Sequence, residues 1–152
     1  MPLFRAALAG GATYLDMAMS LSAPHPEAPH ERTGVKLGDE QFALEERWRA
    51  AGQLALLGMG VEPGLWVRGL GPDGTPRQVY LYHVVDNAWS MREYGSQAVV
   101  WQTAVNPVVA LELLATGAWS GAGVLGPEAF DAVSFLDLLT AYGSPWEMRE
   151  GG

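Results

Sequence analysis

Residues 54–64 read LALLGMGVEPG. Leu54, Ala55, Leu56 and Leu57 run straight into an elbow made of Gly58, Gly60, Glu62, Pro63 and Gly64. A short, unbroken apolar run closed by glycine predicts a strand buried on both faces, as in a parallel sheet covered by helices. The elbow then falls at the carboxyl end of that strand, where open α/β sheets take up ligands. Its glycines let backbone approach a ligand closely, and Glu62 offers a carboxylate to an amine. On these residues alone, a ligand-lining loop and a plain turn out of the sheet read equally well.

The segments before the run fit the same layer. Pro2 to Ala9 reads as a short helix with Phe4 and Leu8 one turn apart and Gly10 as its stop. ATYLDMA, from Ala12, reads as a strand ending near Asp16, and residues 22–38 as an irregular proline-spaced loop. Asp39 is placed to cap a helix in which Leu44, Trp48 and Ala51 share one face, Glu45 pairs with Arg49, and Gly52 closes the end. Helix, strand, loop, helix, strand is the alternation of a parallel α/β layer, with strands near 12–16 and 54–58 as neighbours.

After the elbow the pattern changes. Residues 66–70 and 77–85 read as the arms of an antiparallel hairpin, with Pro72 and Asp73 in the turn and Gly74 at its left-handed position. Val79, Leu81, His83 and Val85 share one face of the return strand; Tyr80, Tyr82 and Val84 share the other. QAVVWQT, residues 97–103, reads as a further strand. Asn106 and Pro107 read as the cap and first position of a helix running to Gly117, and Phe135, Leu138, Leu139 and Tyr142 mark a last amphipathic helix. The expected fold class is α/β: a partial Rossmann-like parallel layer in residues 1–64, then a hairpin and C-terminal helices in residues 65–152.

Composition limits the partners. The chain has 152 residues, 49% of them hydrophobic, so it can bury a sizeable core. Its formal net charge is −8 with only 9 Lys and Arg, which disfavours nucleic acid and anionic membrane as partners. With no cysteine there is no disulfide framework, thiolate nucleophile or Cys-ligated zinc. Gly10, Gly11 and Asp16 interrupt the only stretch that resembles a signal peptide, and no apolar run approaches bilayer-spanning length, so a soluble, cytoplasmic protein is expected.

Several motifs give weaker signals. GAGVLG, Gly121 to Gly126, matches the dinucleotide pattern G-x-G-x-x-G, but a helix precedes it and Pro127 follows it, so it reads as a loop. His25 and His30 lie in a proline-broken loop without a matching carboxylate pair, and no metal is expected there. His83 reads as a hydrogen-bonded core histidine, and the scattered tryptophans as packing anchors. No nucleophile elbow is present, and no catalytic residue can be named.

ATYLDMA, the helix ending in ERWRAAG, and LALLGMGVEPG, in that order, resemble the later part of the Rossmann domain in the saccharopine dehydrogenase family. The stretch from REYGSQAVVWQTAVNPVVALELLATGAWSG to FLDLL resembles the C-terminal segment of the same family, including its T-x-x-x-P turn at Thr103 to Pro107. The resemblance implies an oxidoreductase that reduces an imine of an amino compound with NAD(P)H. It implies Asp16, Met17, Gly60 and Val61 beside the cofactor, and Glu62, Pro63 and Gly64 beside a small-molecule amine substrate. It also implies a truncated member, because the family's opening strand, glycine turn and helix are not found before Met1, and the chain passes at Leu65 into a hairpin instead of a substrate domain. Weak or absent cofactor binding is therefore expected of the chain by itself. A non-catalytic remnant, or an accessory, oligomerising module, is the alternative. An exposed patch including Trp66, Tyr80, Tyr82, Trp101 and Leu125 is expected, covered in a homodimer or by a full-length relative.

Overall fold

The computed structural model describes residues 1–59 and 64–151. They form two compact units, Met1–Gly60 with Ala110–Asp131, and Val61–Val109 with Ala132–Gly152. The first unit is built on a parallel sheet. Helix α1 (Pro2–Gly10) leads into β1 (Tyr14–Leu15), and α2 (Asp39–Phe42) and α3 (Glu45–Ala50) lead into β2 (Leu54–Leu56). Strand β1 pairs parallel with β2, Tyr14 opposite Ala55 and Leu15 opposite Leu56, as the alternation predicts.

A third strand completes this sheet from a part of the chain that reads as a loop. Residues Gly123–Leu125 form β5, parallel to β2 with Ala55 opposite Val124. The reading of GAGVLG as a loop is therefore corrected. The small residues before Val124 let the backbone run flush beside β2, and Gly123 N–H donates to Gln53 O at 2.8 Å. Val124 is buried with Phe4, Trp48, Ala55 and Leu57 in one cluster. The Phe4 ring lies 4.9 Å from Trp48 and 5.2 Å, edge-on, from Tyr14. The apolar cluster joins α1, α3 and the strands, and the central strand, Leu54–Leu56, carries only buried apolar residues.

Two local details differ from expectation: the single helix read between Asp39 and Gly52 is broken at Ala43 and Leu44 into α2 and α3, and its cap is not the expected one. Asp39 does not cap α2; Gly38 holds that position, and the Asp39 carboxylate instead accepts Lys36 N–H at 2.7 Å. The Glu45–Arg49 ion pair forms as predicted, with Glu46 a further 3.6 Å neighbour of Arg49.

The second unit carries an antiparallel sheet. Strand β3 (Gly64–Leu70) pairs with β4 (Pro76–His83), Trp66 opposite Tyr80, through the expected turn. Gly74 has φ 79°, and Gly71 N–H donates to Thr75 O at 2.8 Å. Asp73 holds the turn by accepting from Thr75 N–H and Oγ1, which keeps its carboxyl below the usual carboxylate range. Strand β6 (Trp146–Gly151) pairs with the other side of β4, giving the order β3-β4-β6.

Helices account for the largest correction. Residues 97–103 are not a strand, and Asn106 and Pro107 are not a helix start. After α4 (Asn87–Tyr94), residues Ala98–Ala115 form the single helix α5 with Pro107 inside it. Thr103 to Pro107 is thus mid-helix and makes no strand-to-helix turn. Asn87 Oδ1 accepts Ala98 N–H at 2.9 Å, satisfying an opening N–H from eleven residues upstream. Trp101, Val105, Val109 and Leu113 then form one buried stripe, and this burial overrides the strand preference of the valines. Trp101 is 8% exposed and packs with Trp89 and Tyr94, so it does not belong to an exposed patch. By length and composition α5 could cross a membrane, which corrects the expectation that no apolar run approaches that length. Gln102, Asn106 and Glu112 interrupt it, and only one stripe is buried, with Val99, Val100, Val108 and Leu111 exposed. The last helix, α6 (Ala132–Ala141), falls where predicted.

Candidate functional site at the carboxyl end of the parallel sheet

Strands β1 and β2 end side by side. Asp16 N–H donates to Leu56 O at 3.0 Å, and Met59 N–H donates to Asp16 O at 3.2 Å. The end of β1 is thus tied to the start of the elbow through backbone alone. Gly58 has φ 79°, a left-handed conformation that glycine adopts without steric cost, and it turns the chain out of the sheet.

The Asp16 side chain is also fixed. Tyr14 Oη donates to Asp16 Oδ2 at 2.6 Å, and Ala18 N–H donates to Oδ1 at 3.1 Å. Burial, then the hydrogen bond and negative charge of Asp16, push the Tyr14 hydroxyl up to about 12, so it stays a donor at neutral pH. Asp16 keeps acceptor capacity on a carboxylate whose orientation is set from two sides. Met17 beside it is 47% exposed. Tyr14 is the hydrogen-bonding neighbour of Asp16 that sequence reading misses. Its signal was the two-residue spacing to Asp16, which puts both side chains on one face of a strand.

Of the expected site residues, Asp16 and Met17 therefore sit together at the sheet's carboxyl end. Gly60, Val61, Glu62 and Pro63 lie outside the described residues, and Gly64 opens β3. Other candidates hold structural positions. His25 Nδ1 accepts from Glu27 N–H and Ala28 N–H, organising its loop. His83 Nδ1 lies 2.8 Å from Ser144 Oγ and 3.3 Å from Gln102 Nε2, and Ser144 is fully buried, so the serine has no access to a substrate. Among the described residues no group of three His, Asp or Glu side chains could hold a metal.

A parallel layer whose strand ends carry a glycine elbow and an oriented carboxylate is the arrangement in which α/β proteins hold ligands. Comparison with known proteins points to one family. No family model matches the chain. It is 34% identical over 83 residues to a carboxyaminopropylagmatine dehydrogenase of Synechocystis sp., across 55% of this chain and 21% of that protein. It is 30% identical over 87 residues to the carboxynorspermidine synthase of Vibrio alginolyticus and 29% to that of Vibrio cholerae, across 57% of this chain and 21% of each. The resemblance to the saccharopine dehydrogenase-like family is therefore found over more than half of the chain. The chain spans about a fifth of the length of the curated relatives it matches.

Proposed function

We propose that this chain is an oxidoreductase module of the saccharopine dehydrogenase-like kind that lines the nicotinamide and substrate end of an NAD(P) site. The observation that carries the reading is the tie between Asp16 and Met59, which brings the end of β1 to the foot of the glycine elbow. Asp16, Met17, Gly60 and Val61 would lie along the nicotinamide. Glu62, Pro63 and Gly64 would take the amine-derived substrate, with the Glu62 carboxylate pairing its cationic nitrogen. NAD(P)H, when bound, supplies a hydride to an imine carbon; the chain's own part is orientation and charge pairing. Tyr14 serves as a positioning residue that holds the Asp16 carboxylate in one rotamer.

The pyrophosphate end does not fit this chain equally well. Its G-x-G-x-x-G segment contributes strand β5 rather than a turn opening a helix, so its backbone N–H groups do not converge on an anion. That observation favours weak cofactor binding by the chain alone. It also gives weight to the second reading, a non-catalytic accessory or oligomerising module. A soluble, cytoplasmic setting goes with either reading; the buried stripe of α5 supports the soluble part of it.

Titration of NADPH and NADH, followed by tryptophan fluorescence, tests the oxidoreductase reading. Saturable binding in the millimolar range, weakened by Asp16→Ala, is expected. Binding that is unchanged by Asp16→Ala would place the cofactor elsewhere and refute the site.

A further inference from the structure

We infer that strand β3 is a self-complementary edge through which two copies of this chain join into a continuous six-stranded sheet. This inference rests on the antiparallel unit and is independent of the oxidoreductase reading. Strand β3 lies at one edge of the order β3-β4-β6, and residues 66–70 are all exposed, with Trp66 at 58% and Val67 at 49%. An open edge of this length is a template for another strand unless charge, proline or a bulge blocks it. Strand β3 holds no proline, and its one charge, Arg68, lies against the Trp66 ring of the same strand.

Its backbone phase can be worked out from the turn. Gly71 N–H donates to Thr75 O and Gly71 O accepts from Gly74 N–H, so both backbone groups of Gly71 point toward the return strand, as in a hydrogen-bonded position. In an antiparallel ladder such positions alternate with non-hydrogen-bonded ones. Leu70 then faces Pro76 in a non-hydrogen-bonded pair, which suits a residue without an N–H. Continuing the alternation, Val67 and Gly69 direct their N–H and C=O groups to β4. Gly64, Trp66, Arg68 and Leu70 direct theirs to the open edge.

Only one antiparallel register joins these groups and also matches the side chains. Centred on Val67, it sets Trp66 opposite Arg68 of the second copy, Arg68 opposite its Trp66, and Gly64 opposite its Leu70. All these pairs bring outward-pointing groups together, giving about eight inter-chain hydrogen bonds. Arg68 has no carboxylate partner among the described residues and already lies 5.7 Å from the Trp66 ring centroid. In the dimer each guanidinium gains a second indole across the two-fold axis. Shifting the centre to Arg68 would set two guanidinium groups against each other, and centring on Trp66 would leave both arginines opposite glycine. The other edge, β6, is less available, because its charges are engaged within the sheet. Glu150 pairs with Arg77, Glu147 accepts from Tyr82 Oη, and Arg149 Nε donates to Tyr82 Oη at 3.0 Å.

The absence of cysteine allows a direct test by single-cysteine variants of the full chain. Two Val67 residues facing across the axis would have Cα atoms about 4.5 Å apart, inside the disulfide range of about 4.4–6.8 Å. Val67→Cys should form a covalent dimer rapidly under mild oxidation, whereas Leu70→Cys and Met148→Cys should not. Sedimentation of the unmodified chain should show a reversible dimer. Arg68→Pro, which removes an outward N–H and leaves the β3–β4 ladder whole, should weaken it by roughly tenfold or more. A chain that stays monomeric at high concentration overturns the proposal. So does cross-linking through Met148→Cys in preference to Val67→Cys. The cysteine comparison decides the matter even if Arg68→Pro fails to fold.

Discussion

The two sheets of this molecule are held together by different means. In the parallel sheet every residue of β2 is buried, and Trp48, fully enclosed, anchors α3 against Phe4. In the antiparallel sheet Trp66 and Tyr80 remain exposed, and the cohesion visible on that face comes from aromatic pairs along β4 and across to β3. Tyr80 stacks on Tyr82 at 5.1 Å and Trp66 lies 5.8 Å from Tyr80. The first sheet owes its stability to apolar area removed from water; the second owes more to ladder hydrogen bonds and paired side chains. The difference matters for function. A rigid, buried layer can hold a strand end such as Asp16 in place, while an exposed sheet offers an edge and a face to a partner.

Truncating one aromatic residue in each sheet sharpens this contrast. Trp48→Ala should cost about 3–5 kcal/mol in urea unfolding, since it empties the centre of a closed cluster. Trp48→Phe should cost far less than Trp48→Ala, because the buried Trp48 Nε1–H has no hydrogen-bond partner among the described residues. Tyr80→Ala should cost only about 1 kcal/mol, the value of a cross-strand aromatic contact. Equal losses at Trp48 and Tyr80 would break the comparison.

A smaller effect is expected at Tyr14 and should depend on pH. Its folded value is raised to about 12, above the ordinary tyrosine value of 10.0. The neutral hydroxyl therefore contributes stability that is fully present below the unfolded value and is lost as pH rises through the folded one. Tyr14→Phe should lower stability at neutral pH and flatten its decline across that alkaline window. Chemical denaturation at a series of pH values checks this, and an unchanged slope would show that the Tyr14–Asp16 bond does not form.

The sequence was most legible where local pattern and tertiary environment agree. The apolar run at Leu54 to Leu57 and the Pro72-Asp73-Gly74 turn each carry their structure in adjacent residues. Helix α5 was illegible for a physical reason: its valine-rich start favours a strand, while its opening N–H is satisfied by Asn87 and its stripe by distant burial. Pro107 misled in the same way, since a proline at a helix start and one tolerated inside a helix look alike in sequence. Strand β5 was hidden because three glycines around Val124 suggest a loop, and only the neighbouring β2 makes them a strand. Strand β6 does carry a weak signal, with Trp146 and Met148 alternating with charged residues. At the candidate site, Asp16 and Met17 are named through family resemblance alone, whereas the hydroxyl that orients Asp16 is read from the strand's geometry.

The central claim is that the carboxyl end of the parallel sheet meets the nicotinamide end of the cofactor. It is tested most directly with reduced nicotinamide mononucleotide, a half-cofactor that needs no pyrophosphate turn, added to isotopically labelled chain and followed by amide NMR. The account predicts saturable shifts at Asp16, Met17, Met59 and residues 60–64, diminished by Tyr14→Phe. Shifts confined to residues 121–126, or none at saturating ligand, would contradict it.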